Sequence, residues 1–516
     1  MLCLVFAFSE DLFARAGGGD SYSSSKSSSR SSSGSSYTPS RSTHSSSRIR
    51  SSSSSSSDSE GCSIVPILIF SIILVAIVLS RRAKNAGANL ANMPFSKAAL
   101  LKAFPCGTQE HMPKGAVGVA IEEYRKLDPN FSRPMFLDFA QLLYTRYHVT
   151  RGSQELPSLS FYIAEDIIEK ASKASENVKK IDNLIIGSTR IVNLKPNSGD
   201  SLDRITVAFE GNYSETILNS ITQKDGTVEK KKVTAGFEIS EIWHFVRKTG
   251  TVSPDNKPIK SITCPSCGAS ADTDSKGSCK SCGNNVSDGS FYWVLSKIEV
   301  EGAGLIQPIT ISSGGMEEGI ELKTVYQKNM EDYKQAFENK YSSFSWPDFN
   351  SYVKDVFMNI QDAWTNGKWE KARPFETDHL FGMHNFWIEK YKKENMRNVL
   401  ENIKVNDIKV CRIETDKYYD SITLRIFAEM KDYTVSLTGG FSKPSGVATR
   451  KFSEYWTFVR RSGVNPKHLS VKECPNCGAE LNINMSGVCE YCSSKISSGE
   501  FSWVLSMIEQ DEVYIG

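Results

Sequence analysis

The sequence predicts an α+β protein, two copies of one helices-then-sheet unit set behind a single N-terminal helix long enough to span a bilayer. Three observations carry this. A four-cysteine signature occurs twice, each cysteine 210 positions from its counterpart. In both copies amphipathic helical stretches precede alternating, strand-like ones, the order expected of an α+β domain. Aromatic period-two runs lie on either side of each cysteine block, as though one antiparallel hairpin carried the block at its tip.

In chain order, residues 1–16 look like a signal-peptide remnant, with the start codon upstream: a short apolar run, Leu2 to Phe8, and then Ala14-Arg15-Ala16 in small-x-small form. Residues 17–61 are a serine-rich spacer. Between Ser21 and Glu60, 25 of 40 residues are serine, so there is almost no apolar surface to bury and the segment is expected to be disordered. Residues 62–80 carry no charge and are rich in Ile, Leu and Val. As a helix they would reach about 28 Å, close to the hydrocarbon thickness of a membrane. Arg81, Arg82 and Lys84 follow directly, whereas Asp58 and Glu60 precede. The positive-inside rule then makes the chain a single-pass protein of the cell (inner) membrane, with its C-terminal body in the cytoplasm.

The first copy is expected over residues 110–300 and the second over 320–516, with a linker from Glu301 to Gly319. Asp128-Pro-Asn-Phe131 matches Trp346-Pro-Asp-Phe349, each taken to open a helix. Phe349, Val353, Val356, Phe357, Ile360 and Trp364 recur at helical spacing and form a core face. Phe131, Met135, Phe139 and Leu142 take that role in the first copy, which aligns Asp138 with Val356 and His148 with Asn366. Ile205, Val207 and Phe209, and later Ile422, Leu424 and Ile426, alternate as strands do. Trp243-His-Phe245-Val-Arg247 is echoed by Trp456-Thr-Phe458-Val-Arg460, and Phe291-Tyr-Trp293-Val-Leu295 by Phe501-Ser-Trp503-Val-Leu505.

The cysteine blocks span residues 262–285 and 472–495. Cys264 and Cys267 form one C-x2-C knuckle, Cys279 and Cys282 another; Cys474 and Cys477, then Cys489 and Cys492, repeat the arrangement. Two knuckles supply the four thiolates of a tetrahedral site, so each block reads as a structural zinc ribbon, two Zn2+ ions per chain. Disulfides are the alternative reading. Four-thiolate sites persist in a reducing compartment, in agreement with the cytoplasmic orientation.

These features together resemble the Tim44-like domain: the Asp-Pro-x-Phe opening, the amphipathic helices, the strands and the Trp-x-Phe-x-Arg run. That domain is the C-terminal part of subunit 44 of the mitochondrial inner-membrane translocase and occurs in bacterial membrane proteins. The resemblance implies two cone-shaped domains with curved antiparallel sheets, related to nuclear transport factor 2, each with a pocket. It also implies attachment to a lipid bilayer and service to a protein partner. The ribbon inserts and the duplication depart from the mitochondrial member, so its own partners do not transfer.

A net charge of only +2, with 23% charged residues, gives no polybasic signature for nucleic acid. No nucleophile elbow, phosphate loop or HExxH motif occurs. The reading is therefore a non-enzymatic, membrane-anchored scaffold that binds protein or lipid, with a small-molecule ligand in the cone pocket as a further option. Nucleic-acid or ribosome binding through the ribbons is one alternative; Lys276 and Lys280 decorate the first, but Glu480 and Glu490 the second. The other is pocket chemistry drawing on Asp138, His148, Asp166, Asp355, Asp362, His379 or His384, none of them at a spacing that specifies a dyad.

Overall fold

The computed structural model describes residues 95–516 except 107–111, 223–227, 256–260, 271–272, 275–276, 307–318, 439–443 and 465–468. The expected signal remnant, serine-rich spacer and membrane span lie outside the described residues. Among those described, no helix is long and apolar enough to cross a membrane. They all fall in one compact unit.

The first copy runs α1 (Ser96–Ala103), α2 (Ala116–Leu127), α3 (Arg133–Ser153), α4 (Glu165–Ala174) and then strands β1 (Val178–Lys195), β2 (Leu202–Thr222), β3 (Val228–Lys248) and β4 (Val294–Leu305). The second runs α5 (Met330–Lys340), α6 (Trp346–Asn366), α7 (Asp378–Lys393), β5 (Met396–Thr415), β6 (Tyr419–Ser436), β7 (Thr449–Arg461) and β8 (Val504–Gln510). Each set of strands forms a four-stranded antiparallel meander, in orders β1-β2-β3-β4 and β5-β6-β7-β8. The α+β architecture is thus present twice. β4 extends to Leu305, into the stretch expected to be linker, and α1 precedes the expected domain start.

The helices α3 and α6 show why the two copies fold alike. Both have 21 residues, both begin behind a serine whose hydroxyl accepts an amide of the first turn, and both have proline in that turn. Serine caps orphan amides, and proline costs nothing where its missing N–H had no partner. Both helices end on a left-handed residue, Gln154 or Gly367. Pairing Ser132 with Ser345 corrects the sequence alignment by five residues, because Asp128 ends α2 and Phe131 precedes α3. His148 then matches Gln361 rather than Asn366, and Asp138 matches Ser351 rather than Val356. The core face of α6 is as expected, with Phe349 to Trp364 essentially inaccessible. That of α3 is Phe136, Phe139, Ala140, Leu143, Tyr144 and Tyr147, whereas Met135 and Leu142 are only half-buried.

Sheet irregularities repeat too. β1 slips against β2 between Asp182/Ile185, Ile186/Ser188 and Ile191/Asn193; β5 slips against β6 between Glu401/Lys404, Val405/Asp407 and Val410/Arg412. Asn183 and Asn402 take the left-handed conformation at the first of these. Bulges bend and twist a strand, here one that pairs on one side only. Along β2 and β6 the alternation is as read: Ile205, Val207 and Phe209, like Ile422, Leu424 and Ile426, are buried.

β3 pairs with β4 and β7 with β8, so each cysteine block does project from a hairpin. The second strand begins later than the aromatic runs suggested, at Val294 and Val504. Trp293 and Trp503 sit just before it and are buried. Arg247 stacks on Trp293 at 4.5 Å and Arg460 on Trp503 at 4.4 Å. The arginine of each Trp-x-Phe-x-Arg run thus ties the strand entering the block to the chain leaving it.

Candidate metal centres and the cleft between the copies

Within each block the four sulfurs all lie within 4.8 Å of one another. Cys264 and Cys282 are 3.9 Å apart, Cys267 and Cys279 4.0 Å, and Cys474 and Cys492 3.8 Å. Sulfurs at the corners of a tetrahedron with metal–sulfur bonds of 2.3 Å stand about 3.8 Å apart, whereas a disulfide needs about 2.05 Å. All eight cysteines are free, which sets aside the disulfide reading. The donor set fits a closed four-thiolate site with no position left for a substrate.

Local backbone geometry explains how. In every knuckle the amide four residues on returns to the first cysteine's carbonyl: Gly268 to Cys264, Gly283 to Cys279, Gly478 to Cys474 and Ser493 to Cys489. The turn needs a positive φ, 77°, 75° and 75° at the glycines. Ser493, at 59°, adopts it without glycine's freedom. The second block also docks on its own copy. Arg373 donates to the Met485 carbonyl, and Lys495 pairs with Asp378 at 2.8 Å.

The other sequence candidates separate into three groups. Asp166, Asp355 and Asp362 are exposed helix residues. His148 and His384 are wholly buried core groups, paired with Glu241 at 3.1 Å and Glu376 at 2.7 Å. Burial pushes the His148 imidazole below its ordinary range, with Arg151 adding to that and Glu241 opposing it. Burial likewise raises the Glu376 carboxyl, partly offset by His384. Only Asp138 and His379 meet in a cavity.

This cavity has a volume of about 600 Å³ and lies between the copies. One wall is the face of α3 opposite its core face, including Leu137, Asp138 and Leu142; another is the second sheet's face opposite Ile422 and Leu424, with Thr423, Thr457 and Glu509. The start of α7 and residues 495–500, from the end of the second block onward, close one end. A clamp holds the walls together: Glu414 accepts from Arg125 at 2.8 Å and Arg133 at 3.2 Å of the first copy, and from Arg412 at 3.2 Å. Burial alone would raise the Glu414 carboxyl, but Arg412, Arg125 and Arg133 together hold it well below the carboxylate range.

Asp138 is pushed the other way, first by enclosure and then by the like charge of Asp378. Its side chain is nevertheless open to water in the cleft, which screens part of that effect. His379 is pushed down to about 4 by burial, against Asp378, so its ring is neutral at pH 7. Sequence reasoning missed Glu241 and Glu454, which accept from Trp243 and Trp456 at 3.1 and 3.0 Å in the cores. The signal was there: each stands two residues before the tryptophan of the repeated run.

Residues 332–469 match the family model of the Tim44-like domain, so the resemblance read from the sequence is found in the second copy. None of the curated proteins matches the chain. A solved structure of an Ntf2-like protein involved in plasmid conjugation aligns at 8% identity over 71% of this chain and 96% of that one. Its TM-score is 0.13, too slight a likeness to bear on fold or function.

Proposed function

We propose that this chain, whose second copy carries a Tim44-like domain, is a membrane-anchored, non-enzymatic scaffold that presents two zinc-ribbon-bearing domains to a cytoplasmic partner. The observation that carries the reading is the pair of four-thiol clusters, each held out on a β-hairpin at the same place in a duplicated unit. Zinc is the metal the donor set suits, since four thiolates in a tetrahedron are its usual structural site. The buried histidines support a non-enzymatic role, being committed to core carboxylates where no substrate reaches them. The cone shape, the bilayer contact through residues 62–80 and the unidentified protein partner belong to this reading, as does the cytoplasmic orientation.

Elemental analysis of the purified chain is expected to find two zinc ions per polypeptide. One ion, or none with all eight thiols titratable, would remove the basis of the proposal. A reporter fused after Gly516 is expected to be active only in the cytoplasm, with a tag near residue 40 reached by external protease. The reverse pattern would place eight thiols in an oxidising space and end the topology.

A further inference from the structure

The scaffold reading leaves the cleft between the copies without a role, and its charges do not balance. Glu414 is consumed by three arginines, and Asp378 by Arg373 and Lys495. Three carboxylates remain on its walls, Asp138 on α3, Glu509 on β8 and the exposed Glu500, and among the described residues Asp138 and Glu509 have no hydrogen-bond or ion-pair partner. Glu509 is only 8% exposed, with Arg190 and Arg133 acting on it at longer range. Burial raises its carboxyl despite them. Beside them the buried Nε2 of His379 has no partner. Arg461, the lining cation left over, is exposed.

A buried carboxylate without a partner is costly. Negative groups on opposite walls and an apolar strip from Leu137 and Leu142 define a ligand chemically. An anion would meet Asp138 and Glu509; a neutral alcohol would leave both uncompensated. We propose that the cleft binds a small organic cation, a primary ammonium on a short apolar chain, with Asp138 and Glu509 as counter-charges. The volume suits a molecule of metabolite size. Both copies build the site, since α3 brings Asp138 and the second copy brings His379 and Glu509. The duplication therefore creates a pocket that one copy alone would lack.

The test is calorimetric titration of the solubilised full chain with hexylammonium, and with hexanol and hexanoate as neutral and anionic isosteres. Hexylammonium is expected to bind saturably at one per chain, at least tenfold more tightly than either isostere. Asp138→Asn and Glu509→Gln are each expected to weaken it tenfold or more, and Leu142→Ala a few-fold. Because Asp138 is accessible, Asp138→Asn should keep the native circular dichroism and melt, so its effect reads binding alone. Equal binding of hexanol or hexanoate, ammonium binding unaffected by Asp138→Asn, or no binding of hexylammonium at its solubility limit would each overturn the proposal. The zinc content is independent of all three results.

Discussion

Asp128→Ala is expected to destabilise the first copy by about 3–5 kcal/mol, the range for stripping one partner from a buried ion pair. Asp128 is 1% exposed and Arg247 wholly buried, with 2.8 Å between the charged atoms. The carboxylate also accepts from the Ser253 amide at 3.1 Å and the Ser253 hydroxyl at 2.6 Å, which pins the chain just after β3. Without it the guanidinium keeps the Tyr124 hydroxyl, the Ser253 hydroxyl and the rings of Tyr124 and Trp293. These offset little of the desolvation of a full charge. Asp128→Asn, which keeps shape but not charge, should fall between the variant and the parent. Lys126→Ala, which breaks an exposed pair with Glu123, should move stability by less than about 0.5 kcal/mol. Urea melts followed by tryptophan fluorescence measure all three. If Asp128→Ala moved the midpoint no more than Lys126→Ala, the buried pair would not be what secures the hairpin root.

This residue also shows what the sequence made legible. Asp128 stood out as part of a repeated Asp-Pro-x-Phe opening, but its position at the end of α2 and its bond to Arg247 depend on a partner 119 residues away. Local signals worked where a local cause acts. The cysteine spacing implied gathered thiols because the knuckle is built within five residues. The alternation in β2 and β6 implied buried faces because a strand's geometry has period two. The α3 alignment failed because two proline-containing openings lie close together, and only the serine caps distinguish them. Trp364 and Arg151 occupy equivalent places, and a tryptophan and a wholly buried arginine give no shared pattern to align. The cleft was not legible at all. It arises from α3 of one copy lying across the sheet of the other, and no spacing within either copy encodes that contact.

The last expected result separates core from appendage. Phe349→Ala and Phe357→Ala should each cost about 3–5 kcal/mol, because each empties a ring-sized space in a closed core. Phe349 is fully buried, 5.1 Å from Trp503 and 6.0 Å from Phe458 between ring centres; Phe357 lies 5.1 Å from Trp456. The pair of changes should unfold the second copy at ordinary temperature. Cys474→Ser with Cys477→Ser should act differently. The ribbon has its own small cluster, Cys474, Cys489 and Ile496 with Leu481, Ile483 and Phe501 packed on it, and such a cluster depends on its metal. The hairpin that carries it does not, since Trp503 is packed by Phe337 and Phe349 and capped by Arg460. The cysteine variant should therefore lose one zinc, keep its helical dichroism and retain a cooperative melt, with Arg373 and Asp378 freed from the ribbon. Were the cysteine variant to lose cooperative unfolding while the phenylalanine variant kept it, the metal site would be the folding core and the sheet its dependant.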